Sequence, residues 1–506
     1  MDSILDKIKA NPKDSKAIIH ITDTYFLKGS KIGNKIDLPG FARIYGAIEL
    51  LSKKFGKENI LFLHGGDFLF PSFLSNFFKG KQMIEILNQC RLDYCTLGNH
   101  DYDGGPEILK KRISESKFKY IITNLSPPKN ISKRILQYDV WPKTNPEIAI
   151  LGISGRMTAD KAAENGFKVK DLKKSLHSTL RDIKKRFPEI QLLVVLSHMG
   201  DSEDLYLKKH LNSIWIGNSI IFGGHDHSKI VSYHPRTDKC MIVKGQSNAR
   251  TIQIVIFDEK SIMQKSQNLQ KKLYILDSKQ YQKIPESIKI ERKVESWFEI
   301  LKRQNKLPTN KIIKKFPDNV ILDGTELSLR KGTTNLGNFI TDCLKIHTNS
   351  DIALINSGHF RGDRLFLEKL RISDLYHTFA MRDGGKIIVT NLIKKEGILL
   401  FKHAYSQTGK GKILQFSKDT LKILKNAKRD TEFRVALISD MLFTNEDGFA
   451  NIIAKNRKTN ISELRKMWKK DILKDTNLIK GIEETASKVN YDPKMRLKVD
   501  SKMTWK

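Results

Sequence analysis

Five short blocks of this chain carry side chains that can hold metal ions: Asp23, Gly65-Gly66-Asp67, Gly98-Asn99-His100-Asp101, His198, and Gly224-His225-Asp226-His227. Each follows a run rich in Ile, Leu, Val or Phe, which places the donors where a strand gives way to a loop. Asp67 has two oxygens and suits a bridge between two cations, and the glycines before it let the backbone turn tightly. Asn99 offers an amide oxygen, and His198, His225 and His227 offer ring nitrogens. His225 and His227 are two residues apart, so on an extended segment both rings reach one face. Carboxylate, carboxamide and imidazole together suit divalent transition metals. Two such ions about 3.5–4 Å apart form a clamp for phosphoryl transfer to water. A lone GGD or HxH is usually a turn or a satisfied histidine. The ordered set, each member after a strand, is what points to this chemistry.

The elements expected to position these donors are strands at 17–21, 59–63, 94–97, 147–152, 192–196 and 219–222, with helical patterns at 41–55 and 83–90. Strands alternating with helices predict a layered α/β fold. Segments 241–243 and 251–257 have no helical pattern between them and read as antiparallel strands closing a first domain near residue 260. A further strand, 351–355, runs into Asn356-Ser357-Gly358 in a second domain. The predicted division is a polar arm (1–15), a first domain (16–260), a Lys- and Gln-rich linker with a bridging helix (261–310), a second domain (311–455) and a basic tail (456–506).

The bulk properties narrow the functional classes. A chain of 506 residues is too long for one core, and 39% hydrophobic residues exclude wholesale disorder. No apolar stretch approaches the roughly 20 residues of a membrane span. The opening Met1-Asp2-Ser3-Ile4-Leu5 lacks the pattern of a secretory signal. The four cysteines form no CxxC pair and read as thiols in a reducing compartment. The expected location is cytoplasmic, the alternative being signal-peptide-independent export into a host cell. The net charge of +34 implies anionic partners. Phosphorylated small molecules come before nucleic acid, because no basic stretch is interleaved with aromatics. Nothing here fixes an oligomeric state.

At the metal-ligand blocks the chain resembles the calcineurin-like metallophosphoesterases, specifically the 5′-nucleotidase family. That family's blocks run D-x-H, G-D, G-N-H-E/D, H and G-H-x-H. The resemblance implies an N-terminal four-layer αββα sandwich and a C-terminal α/β nucleotidase domain joined by a helical linker. It implies one metal site from Asp23, residue 25, Asp67 and His227, and another from Asp67, Asn99, His198 and His225. The ions would be Mn, Zn, Co or Mg. It also implies a catalytic dyad of His100 and Asp103, with the ring serving the phosphoryl oxygens. The implied reaction is hydrolysis of nucleoside 5′-phosphates by metal-bound hydroxide. Cyclic-nucleotide phosphodiesterases, 3′-nucleotidases and nucleotide-sugar hydrolases share the architecture.

One position departs from the pattern: Tyr25 stands where the family has histidine. A phenol, with a pKa of about 10, is a poor ligand for Mn²⁺ or Zn²⁺ unless ionised. Three outcomes are open. Tyr25 points away and weakens the first site; it ligates as phenolate and favours a harder ion; or the first site is empty, leaving a nucleotide-binding protein with weak turnover.

Residues 311–455 resemble the 5′-nucleotidase C-terminal domain through Arg330, Thr334-Asn335-Leu336-Gly337-Asn338, Asn356-Ser357-Gly358-His359-Phe360-Arg361, Leu414-Gln415-Phe416-Ser417 and Asn445-Glu446-Asp447-Gly448-Phe449. The resemblance implies that Arg330, Arg361 and Asn356 grip the polar end of a nucleotide. Phe379 and Met441 fall on the two base-stacking positions, and Asp447 on the ribose-binding one. Met441 is not aromatic, and His359 replaces a usual glycine, so base preference does not carry over. The linker would then act as a hinge.

Overall fold

The computed structural model describes residues 15–32, 34–144, 146–233, 238–258, 271–318, 320–379, 385–406, 408–409, 411–443 and 448–490. They divide into two compact units, Met1–Gln304 and Asn305–Lys506.

The first unit is built on two sheets. The seven-stranded sheet runs in the order Lys271–Leu276, Ile252–Asp258, Ser15–Ile21, Ile60–His64, Tyr94–Cys95, Lys119–Ile121, Ile135–Leu136. The six-stranded sheet runs Ile230–Ser232, Cys240–Lys244, Asn218–Gly223, Leu192–His198, Ile148–Ser154, Tyr138–Trp141. Ile18, Leu61 and Leu63 of one meet Val194, Leu196 and Phe222 of the other in a shared core. Helices Leu172–Arg186 and Asp201–Ile214 cover the outer face of the six-stranded sheet through Leu176, Leu180, Leu207 and Leu211. Helix Gly40–Phe55 packs on strand Ser15–Ile21 of the other sheet, burying Phe41, Ile44, Ile48 and Leu51. The result is a four-layer αββα sandwich. Its central strands are parallel and covered on both faces, which explains unbroken apolar runs such as Leu192-Leu193-Val194-Val195-Leu196.

Three boundaries differ from the sequence reading. Strands Cys240–Lys244 and Ile252–Asp258 do not pair with each other. The first lies parallel to Asn218–Gly223 and the second antiparallel to Ser15–Ile21, so the chain crosses between sheets there. The expected linker is in large part first-unit structure. Lys271–Leu276 extends the seven-stranded sheet, and helix Ile288–Arg303 buries Ile290, Val294, Trp297 and Leu301, with Trp297 edge-on to Phe78. Residues 259–270 lie outside the described residues.

The third difference is the tail. The second unit has a five-stranded sheet in the order Leu414–Phe416, Ile352–Asn356, Glu432–Ile438, Lys386–Ile393, Ile472–Asn477. Its last strand comes from the supposed tail. Leu478, Ile479 and Ile482, from helix Leu478–Thr485, share a core with Leu336, Phe339 and Ile340 on one face of this sheet. Trp468 lies in the core of the other face with Phe401, Phe449 and Ile453. Among the described residues, Lys469, Lys474, Lys480 and Lys488 sit on the outer sides of these elements and mask an amphipathic stripe, while residues 491–506 lie outside the described residues. No helix among the described residues is long and apolar enough to cross a membrane.

Candidate metal centre

The donor residues sit on loops at the strand ends. Asp23 follows strand Ser15–Ile21, Asp67 follows Ile60–His64, Asn99 follows Tyr94–Cys95, His198 ends Leu192–His198, and His225 and His227 follow Asn218–Gly223. Parallel strands in register bring those ends side by side: Ile21 faces His64, and Ser197 faces Gly223.

The loops are wound tightly. Asp23, Asp67, His225 and His227 all have positive φ, at 52°, 59°, 77° and 57°. Non-glycine residues hold such angles only where surrounding structure enforces them, at about 1 kcal/mol or more each. Gly66 (φ 94°) has no room for a side chain: a Cβ there would lie 2.6 Å from Gly98 N and 2.8 Å from His198 Nδ1. At Gly224 a Cβ would lie 2.2 Å from Thr22 Oγ1 and 2.6 Å from Asp23 Oδ2.

The donors converge. Tyr25 Oη lies 3.4 Å from Asp23 Oδ1, 3.3 Å from Asp67 Oδ2 and 3.1 Å from His227 Nε2. His227 Nε2 is 3.1 Å from Asp23 Oδ1. Beside them, His198 Nε2 is 3.2 Å from Asp67 Oδ2, and His225 Nδ1 is 3.0 Å from Asn99 Oδ1. An ion with arms of about 2.1 Å holds neighbouring donors about 3.0–3.4 Å apart, so these hydrogen-bond spacings would also accommodate an ion. Asp67 belongs to both groups. Tyr25 therefore does not point away: its buried hydroxyl stands among the first-site donors.

His198 tests the fit independently. Its Nδ1–H donates to the Gly65 carbonyl at 2.8 Å, which turns Nε2 inward as a donor to an ion. Nε2 is fully buried and makes no well-directed hydrogen bond, although Asp67 is close. A buried polar atom left so is costly unless something else satisfies it. Asp23, Asp67 and His198 together form a cluster able to hold a metal ion.

The electrostatics hold two carboxylates charged and set a proton on His198 that an ion would have to displace. Burial opposes the charge on Asp23, but His227 and His198 more than offset it and hold the carboxyl well below its usual range. Asp67 is likewise brought down to about 2: burial opposes its charge, and His198 and His100 win. Burial lowers His198, yet Asp67 and Asp23 raise it to about 10. Burial takes His225 down to about 3, keeping it neutral as a ligand must be.

The dyad partners meet too: His100 Nδ1 lies 2.7 Å from Asp103 Oδ2, and the His100 amide donates to Asp67 Oδ1 at 2.8 Å.

The supporting residues went unassigned in the sequence. Asp101 accepts four backbone amides, from Asp67, Phe68, Leu69 and Gly98, at 2.8–2.9 Å. It thereby locks the Asp67 loop to the Asn99 loop. Asn248 accepts the Tyr25 amide at 2.9 Å and donates its own amide to the Asp23 carbonyl at 2.8 Å. His64 accepts the Gly66 amide at 3.1 Å and donates to Thr24 Oγ1 at 2.8 Å. The available signal was a polar residue beside or inside an apolar strand run, as with His20 and His64.

The second unit brings together only part of its predicted set. Ser357 Oγ donates to the Leu329 carbonyl at 2.6 Å, so the Asn356-Ser357-Gly358 turn lies against the segment bearing Arg330. Gln415 ties the same region, donating to Gly332 O at 2.9 Å and Ser357 Oγ at 3.0 Å. Arg330 pairs with Glu326, and Asn356 with His359. The Arg361 amide donates to the Thr378 carbonyl. The two residues expected at the stacking positions are both buried. Phe379 is sealed in the core on one face of the sheet, edge-to-face with Phe360, while Met441 is sealed in the core on the other face. Asp447 lies outside the described residues.

Comparison with known proteins agrees with this division. Residues 16–229, which hold every candidate metal ligand, match the calcineurin-like phosphoesterase family, and residues 313–395 match the 5′-nucleotidase C-terminal domain. The chain is 27% identical over 198 residues to the NAD 5′-nucleotidase of Haemophilus influenzae, covering 38% of this chain and 31% of that one. It is 22% identical over 330 residues to human 5′-nucleotidase, covering 60% and 54%. The matched stretch spans about a third to a half of the length of these curated relatives. The crystal structure of a 5′-nucleotidase precursor from Thermus thermophilus superposes with a TM-score of 0.71 at 20% identity, over 87% of this chain and 92% of that one, and so shares the fold. A phosphoesterase sandwich carrying the metal-ligand blocks, followed by a nucleotidase C-terminal domain, makes this chain a member of the 5′-nucleotidase family of calcineurin-like metallophosphoesterases, a family of phosphoric ester hydrolases.

Proposed function

We propose that this chain is a dinuclear-metal-dependent hydrolase of nucleoside 5′-phosphates. One observation carries the reading: buried Asp23, Asp67 and His198 cluster closely enough to hold a metal ion, with Tyr25 and His227 at 3.1–3.4 Å from the two carboxylates and the His225–Asn99 pair 3.0 Å apart. Asp23, Tyr25, Asp67 and His227 would hold one ion, and Asp67, Asn99, His198 and His225 the other. Two divalent ions, when bound, supply Lewis acidity and charge neutralisation at a phosphoryl group.

The remaining work falls to the chain. Asp103 fixes the His100 ring through Nδ1, so its Nε2 edge serves the phosphoryl or leaving oxygen, where it stabilises charge or delivers a proton. The His225 amide donates to both oxygens of Asp23, at 3.3 and 3.1 Å, which aims the carboxylate. Thr22 Oγ1 adds a 2.5 Å bond to Oδ2. In the second unit, Arg330, Asn356 and Arg361 are proposed to take the polar part of the nucleotide. The curated relatives named above are an NAD 5′-nucleotidase and a 5′-nucleotidase, which supports a nucleotide substrate. All four cysteines are buried and no disulfide joins any two of them, which suits the reducing, cytoplasmic location proposed here.

The test is phosphate release by the purified chain from nucleoside 5′-monophosphates, NAD and 2′,3′-cyclic nucleotides. Each is assayed with Mn²⁺, Zn²⁺, Co²⁺, Mg²⁺ or chelator, beside Asn99→Ala. Metal-dependent release from monophosphates, lost in Asn99→Ala, is the expected result. Release only from cyclic nucleotides, or none with any ion, would sink the reading.

A further inference from the structure

Lys244 is the last residue of strand Cys240–Lys244 and is 1% exposed. A lysine is rarely buried so completely unless it is paired. Its Nζ donates to the Met199 carbonyl at 2.9 Å and to Asp226 Oδ2 at 3.1 Å. It also pairs by charge with Asp201 Oδ1 at 2.8 Å and Asp204 Oδ2 at 2.9 Å.

The partners are informative for where they sit in the chain. Met199 directly follows the candidate ligand His198. Asp226 lies between His225 and His227. Asp204 accepts from Ser197 Oγ, the residue before His198, at 2.5 Å. Asp226 Oδ2 also accepts the Asp201 amide at 2.6 Å. One buried ammonium group thus ties together the two loops that present all three histidine donors. Those loops need a restraint. His225 and His227 both hold positive φ, a conformation that would relax if the peptide between them were released. Nothing in stability alone calls for this arrangement. Burying the Lys244 cation with Asp204 and most of Asp226, beside a half-exposed Asp201, costs solvation that an apolar cluster of the same size avoids.

We infer that Lys244 is a positioning residue for the metal centre: through Asp226 and Met199 it fixes the 198–199 and 224–227 loops and so sets the affinity for the ions. This rests on the metal-centre reading above and deepens it. Residues that orient ligands from behind typically contribute 10–100-fold in metal affinity.

The experiment uses the full chain stripped by chelator and titrated with Mn²⁺ by calorimetry, beside Lys244→Met, Lys244→Arg and Asp226→Ala. Bound metal per chain, far-UV circular dichroism and the metal-free melting temperature are recorded for each. Lys244→Met is expected to weaken Mn²⁺ binding roughly 10–100-fold with the folded spectrum retained, and Lys244→Arg to recover part of the loss. A purely structural role would lower the melting temperature yet leave the Kd of the folded protein at the native value, and that result overturns the inference. Where Lys244→Met does not fold, Asp226→Ala decides, since it cuts the tether while leaving Lys244 with Asp201 and Asp204. A weakened Kd in that variant supports the inference, and an unchanged one overturns it. Native protein that binds no Mn²⁺ would instead remove the metal-centre reading, and the inference with it.

Discussion

Asp67 and Phe379 are buried to the same degree, each 1% exposed, and both occupy positions that the sequence assigns to a site. Asp67 is buried among groups that compete for its oxygens: His198 at 3.2 Å, Tyr25 at 3.3 Å and the His100 amide at 2.8 Å. Phe379 is buried among Phe360, Leu375 and Leu370, which ask nothing of it but shape. Burial of a charge is tolerated only where partners converge on it, so it reports a site. Burial of a ring is the ordinary condition of a core and reports nothing about a ligand. The polar centre of the first unit is therefore self-evident in a way the substrate surface proposed for the second is not.

The comparison breaks most visibly if the two residues are exchanged for near-isosteres. Asp67→Asn keeps the size but removes the charge shared by both donor groups. Metal-dependent phosphate release is expected to fall by roughly 10²–10³-fold, the scale set by losing one preorganised electrostatic contact. Phe379→Leu should leave KM for a nucleoside monophosphate within about twofold, since a hydrophobic swap of this kind costs less than about 1.5 kcal/mol. A KM raised tenfold in Phe379→Leu, at unchanged melting temperature, would return that ring to the binding surface.

Truncation sharpens the same contrast on the apolar side. Phe379→Ala opens a cavity beside Phe360 and should cost about 3–5 kcal/mol of unfolding free energy in denaturant titration. Met441→Ala should cost about 2–5 kcal/mol by the same mechanism in the opposite core. A loss under about 1 kcal/mol at either position would mean that the side chain is not part of a packed core.

These contrasts explain what was legible in the sequence. The donors of the first unit could be read because Asp67, Asn99, His198, His225 and His227 combine residue type with a position after an apolar strand. Parallel strands then necessarily bring their ends together. What Lys244 and Asp101 do was not legible, because their partners come from distant segments or from backbone amides, which no side-chain pattern records. Phe379 and Met441 carry no such signal, because a stacking side chain and a core side chain are the same residue in a sequence. The tail misleads because the lysines around Lys469, Lys474 and Lys480 outweigh the spacing of Trp468, Leu478 and Ile482, which carries the packing. Register, too, needs three dimensions: nothing local says that Cys240–Lys244 and Ile252–Asp258 belong to different sheets.

Tyr25 lies on the polar side of the comparison but carries a side chain that could have served in a core. Its hydroxyl stands among Asp23, Asp67 and His227, where the family has an imidazole. Tyr25→His replaces a reluctant oxygen donor with a neutral nitrogen suited to Mn²⁺ or Zn²⁺. The first ion should bind about tenfold tighter, a change of about 1.4 kcal/mol, in a calorimetric titration with Mn²⁺. Equal affinities in the native and Tyr25→His proteins would show that the phenol serves as well as the ring it replaces.

A pH slope of similar size has a sign that separates the metal centre from any other buried ion pair. In metal-free protein His198 is raised from 6.5 to about 10 by Asp67 and Asp23, against the opposing effect of burial. Its contribution to stability is fully present below 6.5 and is lost as pH rises toward 10. Asp67, lowered to about 2, contributes above 3.8 and loses its share only as pH falls toward 2. Between these limits the chelated protein should become less stable with rising pH through the neutral and mildly alkaline range. After allowing for the relaxation of a buried pair, the amplitude should be about 1–2 kcal/mol, or a few degrees in melting temperature. Saturating Mn²⁺ should reverse the slope, because the ion competes with the proton for His198 Nε2 and binds better as that proton leaves. His198→Gln should flatten this contribution in chelated protein. Identical slopes with and without Mn²⁺ would place the ion somewhere other than His198.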